Sequence, residues 1–220
     1  MAKYENIRAL AKKQLQTVTE SSDRWKEFLR TAAIAYNYSF PNQLLIYAQN
    51  PTATAVADMD YWNKNAGRRV KRGAHGTAVF DTRANSPRLR YLFDISDTIP
   101  IHEISEALPW AVTDQNWKPV WDKIIVDNHA DSIQSALLMI STSYVAQRSA
   151  MFTTALEKAV DGSSLQWAKP NEQRRLFLQI VTQSCLYMAA LRCGVDTARL
   201  DLSALESVGQ FDTNRVALCL

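Results

Sequence analysis

Between Arg68 and Gly76 the chain reads RRVKRGAHG, with Arg68, Arg69, Lys71 and Arg72 set around Gly73 and Gly76. Guanidinium and ammonium groups neutralise phosphate oxygens, and glycine lets a backbone approach one closely, so this spacing suits phosphate binding. Arg83, Arg88 and Arg90 extend the basic run. From Arg68 to Arg90 seven Arg or Lys stand against one acid, Asp81, giving a +6 window in a chain of +3 and leaving −3 elsewhere. Such polarisation favours a polyanion docked at one place, and nucleic acid is the leading candidate. The competing reading is a solvated hairpin whose arginines keep a sheet edge soluble. Contacts to phosphate position a strand without reading its sequence, so binding is expected to tolerate any sequence.

Signals for metal or acid–base chemistry are weaker. In HEISE, His102 and Glu106 stand four apart, but no second histidine follows, and a solvated first helical turn explains them better. His75 reads as a polar group facing a ligand in the basic turn, and His129 as a residue near a helix cap. Asp94 and Asp97 in FDISDT resemble a carboxylate pair, yet alternation puts Asp94 outward beside Arg90 and leaves Asp97 at a strand end. A salt bridge and a turn account for both. No nucleophile elbow, P-loop or GxGxxG is present, so no catalytic residue, metal ligand or cofactor is assigned.

The elements that must position the basic turn follow from periodicity. Residues 3 to 18 and 22 to 37 read as helices, the second capped by Ser21 or Ser22, with Trp25, Phe28, Leu29, Ala32, Ala33 and Tyr36 on one buried face. A short helix is expected between Pro41 and Pro51, with Ser39 as its cap. Another runs from Asp58 to Asn65 and ends at Gly67. The period then changes to two: Val70, Ala78, Phe80, Leu89, Tyr91, Phe93 and Ile95 alternate with polar partners, and Gly73, Gly76 and the ANSP tetrapeptide supply turns. This predicts a small antiparallel meander. Pro100, Pro109, Trp110, Trp117 and Trp121 mark the passage to a helical half, whose strongest helices span 131 to 147 and 171 to 193. Ile133, Leu137, Ile140 and Tyr144 form the packing side of the first, and Phe177, Val181, Cys185 and Met188 that of the second.

At 220 residues and 47% apolar, the chain can bury a real core and suits one large or two small domains, and a folded chain is expected over a disordered one. The first residues, MAKYENIRALAKKQLQ, lack a continuous apolar run, so neither a signal peptide nor a membrane span is expected and a cytoplasmic location follows. Cys185, Cys193 and Cys219 are too few and too irregular for a disulfide framework or a zinc knuckle and read as buried thiols.

The run SFPNQLLIYAQNPTATAVADMDYWNKNAGRRVKRGAHGTAVF resembles the amino-terminal single-stranded-DNA-binding domain of ArdC-type antirestriction proteins, in the variant found at the start of large helicase and methylase polypeptides of Firmicutes conjugative elements. The matching elements are Asn42, Leu44 and Leu45 of an aromatic-rich helix, then Trp62, Gly67, Arg68, Val70, Arg72, Gly73 and Gly76 of a basic turn leading into a strand. The resemblance covers residues 4 to 100 well and the remainder weakly. Ala74 and His75 stand where relatives often carry Lys, which removes one charge. The resemblance implies an α+β fold in which residues 1–100 form a single-stranded-DNA-binding domain; beside it, Tyr47, Trp62 and Phe80 are candidates to stack unpaired bases, although an aromatic of this kind more often serves the core. Asn42 and Gln43 are candidates for a base edge or, preferably, a helix cap. Residues 101–220 then form a helical domain resembling a degenerate zinc-peptidase scaffold. There the ligand histidines of the family fall on Met139 and Ser143, its general base on Ile140, and its acidic helix on Gln179 and Gln183.

The expected function is therefore a non-enzymatic, antirestriction-like protein of a mobile element that binds single-stranded DNA. Its interface is assigned to Arg68, Arg69, Lys71, Arg72, Gly73, Gly76, Asn42, Tyr47, Trp62, Arg88 and Arg90. The alternative is an inhibitor that binds a restriction or CRISPR nuclease directly. A residual hydrolase comes last because its ligands are missing. The apolar ending RVALCL, without a helix stop, suggests a chain cut from a longer one.

Overall fold

The computed structural model describes residues 2–83, 86–101 and 112–212. His102, Glu106, Pro109, Trp110, part of the ANSP turn and the RVALCL ending with Cys219 lie outside the described residues. The fold is α+β, and its contacts divide it into two compact units. Residues 2–14 and 34–101 form the first and residues 15–33 and 112–212 the second, so the segment 15–33, grouped by sequence with the first hundred residues, packs with the second half.

In the first unit, helix α1 (Ala2–Val18) supplies its opening turns and α3 (Phe40–Gln49) lies against a three-stranded sheet of β1 (Val56–Asp58), β3 (Thr77–Phe80) and β4 (Leu89–Asp94). The order is β1–β4–β3, antiparallel throughout, with Ala57 opposite Phe93 and Val79 opposite Arg90. Val79 and Leu92 join Leu45, Ile46, Ala35 and Ala53 in one core cluster, while Phe93 joins Trp62, Ala55 and Ala66 in another. Trp62 belongs to the short helix α4 (Met59–Lys64), started by the Asp58 side chain, which accepts from the Tyr61 N–H.

The expected meander is corrected in one respect. Strand β2 (Arg68–Val70), which opens the basic turn, pairs with β5 (Thr98–Pro100) and not with β3. Its link to β3 turns through a left-handed Gly73, φ +83°, while the Ile95–Asp97 turn after β4 carries β5 back to β2. Strand β1, which the sequence reading missed, completes the sheet instead.

Strand β3 is an edge, and helix α3 covers it with two carboxamides. Asn42 accepts from the Phe80 N–H at 2.8 Å and donates to the Phe80 carbonyl at 3.0 Å; Gln49 accepts from the Ala78 N–H at 3.0 Å and donates to the Ala78 carbonyl at 2.9 Å. Two helical turns thus satisfy the outward backbone groups of residues i and i+2 on the strand, and the edge is closed to pairing. Asn42, 1% exposed, neither caps its helix nor faces solvent. Gln43 donates to the Ala35 carbonyl, and Ser39 occupies the cap position without a side-chain bond.

In the second unit, α2 (Ser22–Ile34) begins with Ser21 accepting from the Arg24 N–H, and Trp25 donates to Ser184 at 2.9 Å. The helix stops at Ile34, so Tyr36 lies outside it and is 58% exposed, contrary to the expected face. Helices α5 (Trp117–Asp127), α6 (Ile133–Arg148), α7 (Thr153–Val160) and α8 (Pro170–Arg192) follow, with 3-10 turns at Ser149–Phe152, Thr197–Arg199 and Ser203–Gln210; the sequence reading does not contain α5 and α7. Ile133 and Leu137 of α6 meet Leu186 and Ala190 of α8. Farther along α6 the buried face moves to Ser141 and Val145, leaving Ile140 and Tyr144 exposed, which corrects the expected packing side. On α8 the buried positions are Ile180, Ser184, Leu186, Tyr187 and Ala190, while Phe177, Val181, Cys185 and Met188 are half-buried. Gly194, φ +65°, ends α8, with Val195 donating back to the Ala190 carbonyl. His129 follows α5 with φ +51°, the left-handed position past a helix end. Burial raises the Cys185 and Cys193 thiols above their ordinary value. Among the described residues no helix is long and apolar enough to cross a membrane.

Candidate nucleic-acid interface

The basic turn is built on Asp94. Asp94 is 3% exposed, and its carboxylate accepts from the N–H groups of Thr54 at 2.7 Å, Ala55 at 2.9 Å and Ser96 at 2.9 Å, while Asp97 reaches back to the Asp94 N–H. Burial alone would raise this carboxyl, but the backbone donors of Ala55, Ser96 and Thr54 outweigh it and hold it below the ordinary 3.8. The expected outward Asp94–Arg90 salt bridge is absent, because three backbone N–H groups claim the carboxylate first.

The turn so fixed presents Thr98 to Arg68 of β2 and two carbonyls to Lys71, the residue after it. Arg68 Nε donates to Thr98 Oγ1 at 2.6 Å, and Thr98 in turn donates to the Ile95 carbonyl. The Lys71 N–H meets the Asp97 carbonyl at 2.8 Å and its Nζ the Ser96 carbonyl at 2.7 Å. The Ala74 N–H then closes on the Lys71 carbonyl at 3.2 Å, a four-residue turn with Arg72 at its tip and Gly73 at the position needing positive φ. Arg69 and Arg72 are exposed, and their side chains have no hydrogen-bond or ion-pair partner among the described residues.

The two glycines serve different ends. A Cβ on Gly73 would meet nothing within 4 Å, so that position is open to a ligand and is constrained only by its backbone. A Cβ on Gly76 would lie 2.9 Å from Tyr91 Cβ and 3.0 Å from the Phe93 ring. Packing against Tyr91 and Phe93 therefore requires glycine at position 76.

The remaining basic residues do not join this turn. Arg88 just precedes β4, Arg90 is near its start and Asp94 is at its end, which at the usual rise of a strand puts Arg88 about 20 Å and Arg90 about 13 Å from Asp94. At that far end Arg90 lies 3.7 Å from Asp58 and over the Tyr38 ring, and Arg83 reaches Asp58 at 3.8 Å and Asp81 at 3.5 Å. The backbone and side chain of Arg83 hold the Asp81 carboxyl below its ordinary value. Arg88 is exposed. The continuous +6 window of the sequence is thus two clusters in space.

The candidate stacking residues are mostly consumed by the fold. Trp62 is 1% exposed and donates to the Phe93 carbonyl at 2.9 Å. Phe80 is half-buried against Tyr4, and Tyr47 is half-buried on α3. Asn42 is occupied by β3. What the sequence reading missed is β5: Ile99 stands opposite Arg69, and Ile101, whose N–H donates to the Gly67 carbonyl, extends the same ribbon. The β-branched run TIPI was its only signal.

In the second unit, Met139, Ile140 and Ser143 are exposed, while Gln183 accepts from the Ala204 N–H at 2.8 Å. Gln179 is exposed. Among the described residues no three His, Cys, Asp or Glu are grouped to hold a metal ion. Compared with family models, with curated proteins and with solved structures, the chain matches none of them.

Proposed function

We propose that this chain is a non-enzymatic protein that binds single-stranded DNA through the Arg68–Gly76 turn, in the manner of an antirestriction protein of a mobile element. The observation that carries this reading is that Arg69 and Arg72 stand exposed and unpartnered beside an open, left-handed Gly73, while the buried acid Asp94 is bound to backbone N–H groups. Cations held by no acid are free to neutralise phosphates. The helical second unit is read as a scaffold related to a metallopeptidase but without its chemistry: Met139, Ile140 and Ser143 offer no lone pair suited to zinc and no base to take a proton from bound water.

The test is a fluorescence titration of a labelled single strand and its duplex across a salt series. If Arg69, Lys71 and Arg72 each contact a phosphate, the logarithm of affinity falls against the logarithm of salt with a slope of about −2 for the single strand, which binds more tightly than the duplex. An affinity indifferent to salt would overturn the reading.

A second reading, direct inhibition of a restriction or CRISPR nuclease, is favoured by one feature of the second unit. Leu138, Met139, Ile140 and Tyr144 expose between 39% and 49% of their surfaces along one helix, an apolar stretch suited to a protein partner. Inhibition of a purified nuclease that survives loss of Arg69 and Arg72 but not Ile140→Ser with Tyr144→Ser would select it.

A further inference from the structure

The β2–β5 ribbon has two unlike sides. Inward, Val70 packs with Trp62 and Ala66, Thr98 is 4% exposed, and Arg68 is fastened to Thr98. Outward, Arg69 and Ile99 stand directly opposite each other, both exposed. Two residues along each strand the same side continues into exposed Lys71 and into Ile101, and Pro100 between the isoleucines is exposed as well. Ile99 leaves 38% and Ile101 49% of its surface to solvent. Apolar side chains at the centre of a strand pair, bordered by Arg69, Lys71 and Arg72, are unusual for a surface whose only task is solubility, where charge alone would serve.

Nor is this face arranged to add a further strand. Pro100 has no N–H, and the Thr98 carbonyl faces the Arg68 guanidinium at 3.5 Å, so the outer edge of β5 is blunted for backbone pairing. What remains is side-chain recognition of something that is anionic at its border and apolar at its centre. An unpaired nucleic-acid strand has this character: phosphates along one side and base faces, freed from stacking, along the other. A duplex offers its phosphates but keeps its base faces stacked.

We infer that the outward face of this ribbon contacts bases, with Ile99 and Ile101 packing against unpaired base faces while Arg69, Lys71 and Arg72 hold the flanking phosphates. The inference rests on the single-strand-binding reading above and specifies it. Aliphatic packing replaces the aromatic platforms that the fold buries at Trp62. It distinguishes paired from unpaired strands without reading sequence, and its contribution is independent of salt, because no charge is involved.

The experiment uses the full chain with two labelled oligonucleotides of equal length, oligo-dT and an abasic deoxyribose-phosphate chain, together with heparin as a polyanion without bases. The unaltered protein binds oligo-dT more tightly than the abasic chain. Ile99→Ser with Ile101→Ser lowers oligo-dT affinity about tenfold, to the level of the abasic chain, leaving heparin binding and the salt slope unchanged. Arg69→Gln with Arg72→Gln flattens the slope on both oligonucleotides. Because each isoleucine leaves a good part of its surface to solvent, the first variant stays folded, with a melting temperature only a few degrees lower. Equal affinity of the unaltered protein for oligo-dT and the abasic chain would overturn the inference while leaving phosphate binding standing. So would an undiminished preference for oligo-dT in the isoleucine variant, which puts the bases elsewhere. A change of oligomeric state in that variant with unchanged DNA affinity would assign the face to a second copy of the chain and likewise overturn it. Absence of binding to all three polyanions would remove the underlying reading and the inference together.

Discussion

The two ends of β4 contain the same kinds of residue and put them to opposite use. At the far end Asp58 and Asp81 spend carboxylate oxygens on Arg83 and Arg90, and those cations are neutralised within the protein. At the turn end Asp94 is filled by N–H groups of Thr54, Ala55 and Ser96, and the neighbouring Arg69 and Arg72 are left without an acid. What frees a cation here is that the carboxylates of the turn, Asp94 and Asp97, are taken by backbone N–H groups. A basic segment read along the chain therefore overstates one end and misses how the other is kept available.

The largest way to break this contrast is to remove Asp94. Asp94→Ala leaves the donors of Thr54, Ala55 and Ser96 unmet in a buried site and destabilises the protein by about 3 kcal/mol, read by urea unfolding. The sign of the acid response follows. A carboxyl held below 3.8 in the folded state contributes stability that is fully present above that value and is lost as pH falls through its lower, folded value. The unaltered protein should lose more stability than Asp94→Ala between about pH 5 and pH 3. Equal losses would mean that Asp94 does not hold the turn.

A smaller effect separates the two glycines. Gly76→Ala, forced against Tyr91 and Phe93, costs about 2 kcal/mol. Gly73→Ala, strained only in its backbone, costs about 1 kcal/mol and also alters where Arg72 stands. Comparing their melting temperatures with their single-strand affinities should place Gly76 on the stability axis and Gly73 on both.

The smallest effects on stability come from the exposed cations. Arg69→Gln with Arg72→Gln, and separately Arg83→Gln, should each change folding stability by less than about 0.5 kcal/mol. Only the pair should reduce the salt dependence of single-strand binding. Equal reductions from both would restore a single continuous patch and dissolve the contrast between the ends.

Local elements were legible because local physics decides them. The helices near 3–18, 41–50, 133–148 and 170–192 follow from periodicity, capping residues and proline placement, and their observed bounds fall close to the expected ones. Tyr36, Ile140 and Tyr144 were misplaced for a common reason. Periodicity says which residues share a side of a helix but not where the helix stops or how far its neighbour extends. Asn42 shows the same limit from the polar side. A buried carboxamide and a solvent-facing one are identical in sequence, and only the position of β3 made Asn42 a substitute for a missing strand.

By itself the sequence determined the α+β composition, the location of most helices, the strand character of residues 77–80 and 89–94, and the presence of a basic glycine turn. These depend on neighbours a few residues away, where backbone geometry and side-chain period act directly. Tertiary structure alone decided that β2 pairs with β5, that Ile99 stands opposite Arg69, and that Asp94 turns inward to backbone donors while Asp58 faces Arg90. Each depends on which of several chemically equivalent partners is brought within hydrogen-bonding distance. That choice is made by packing the whole unit, not by any segment within it.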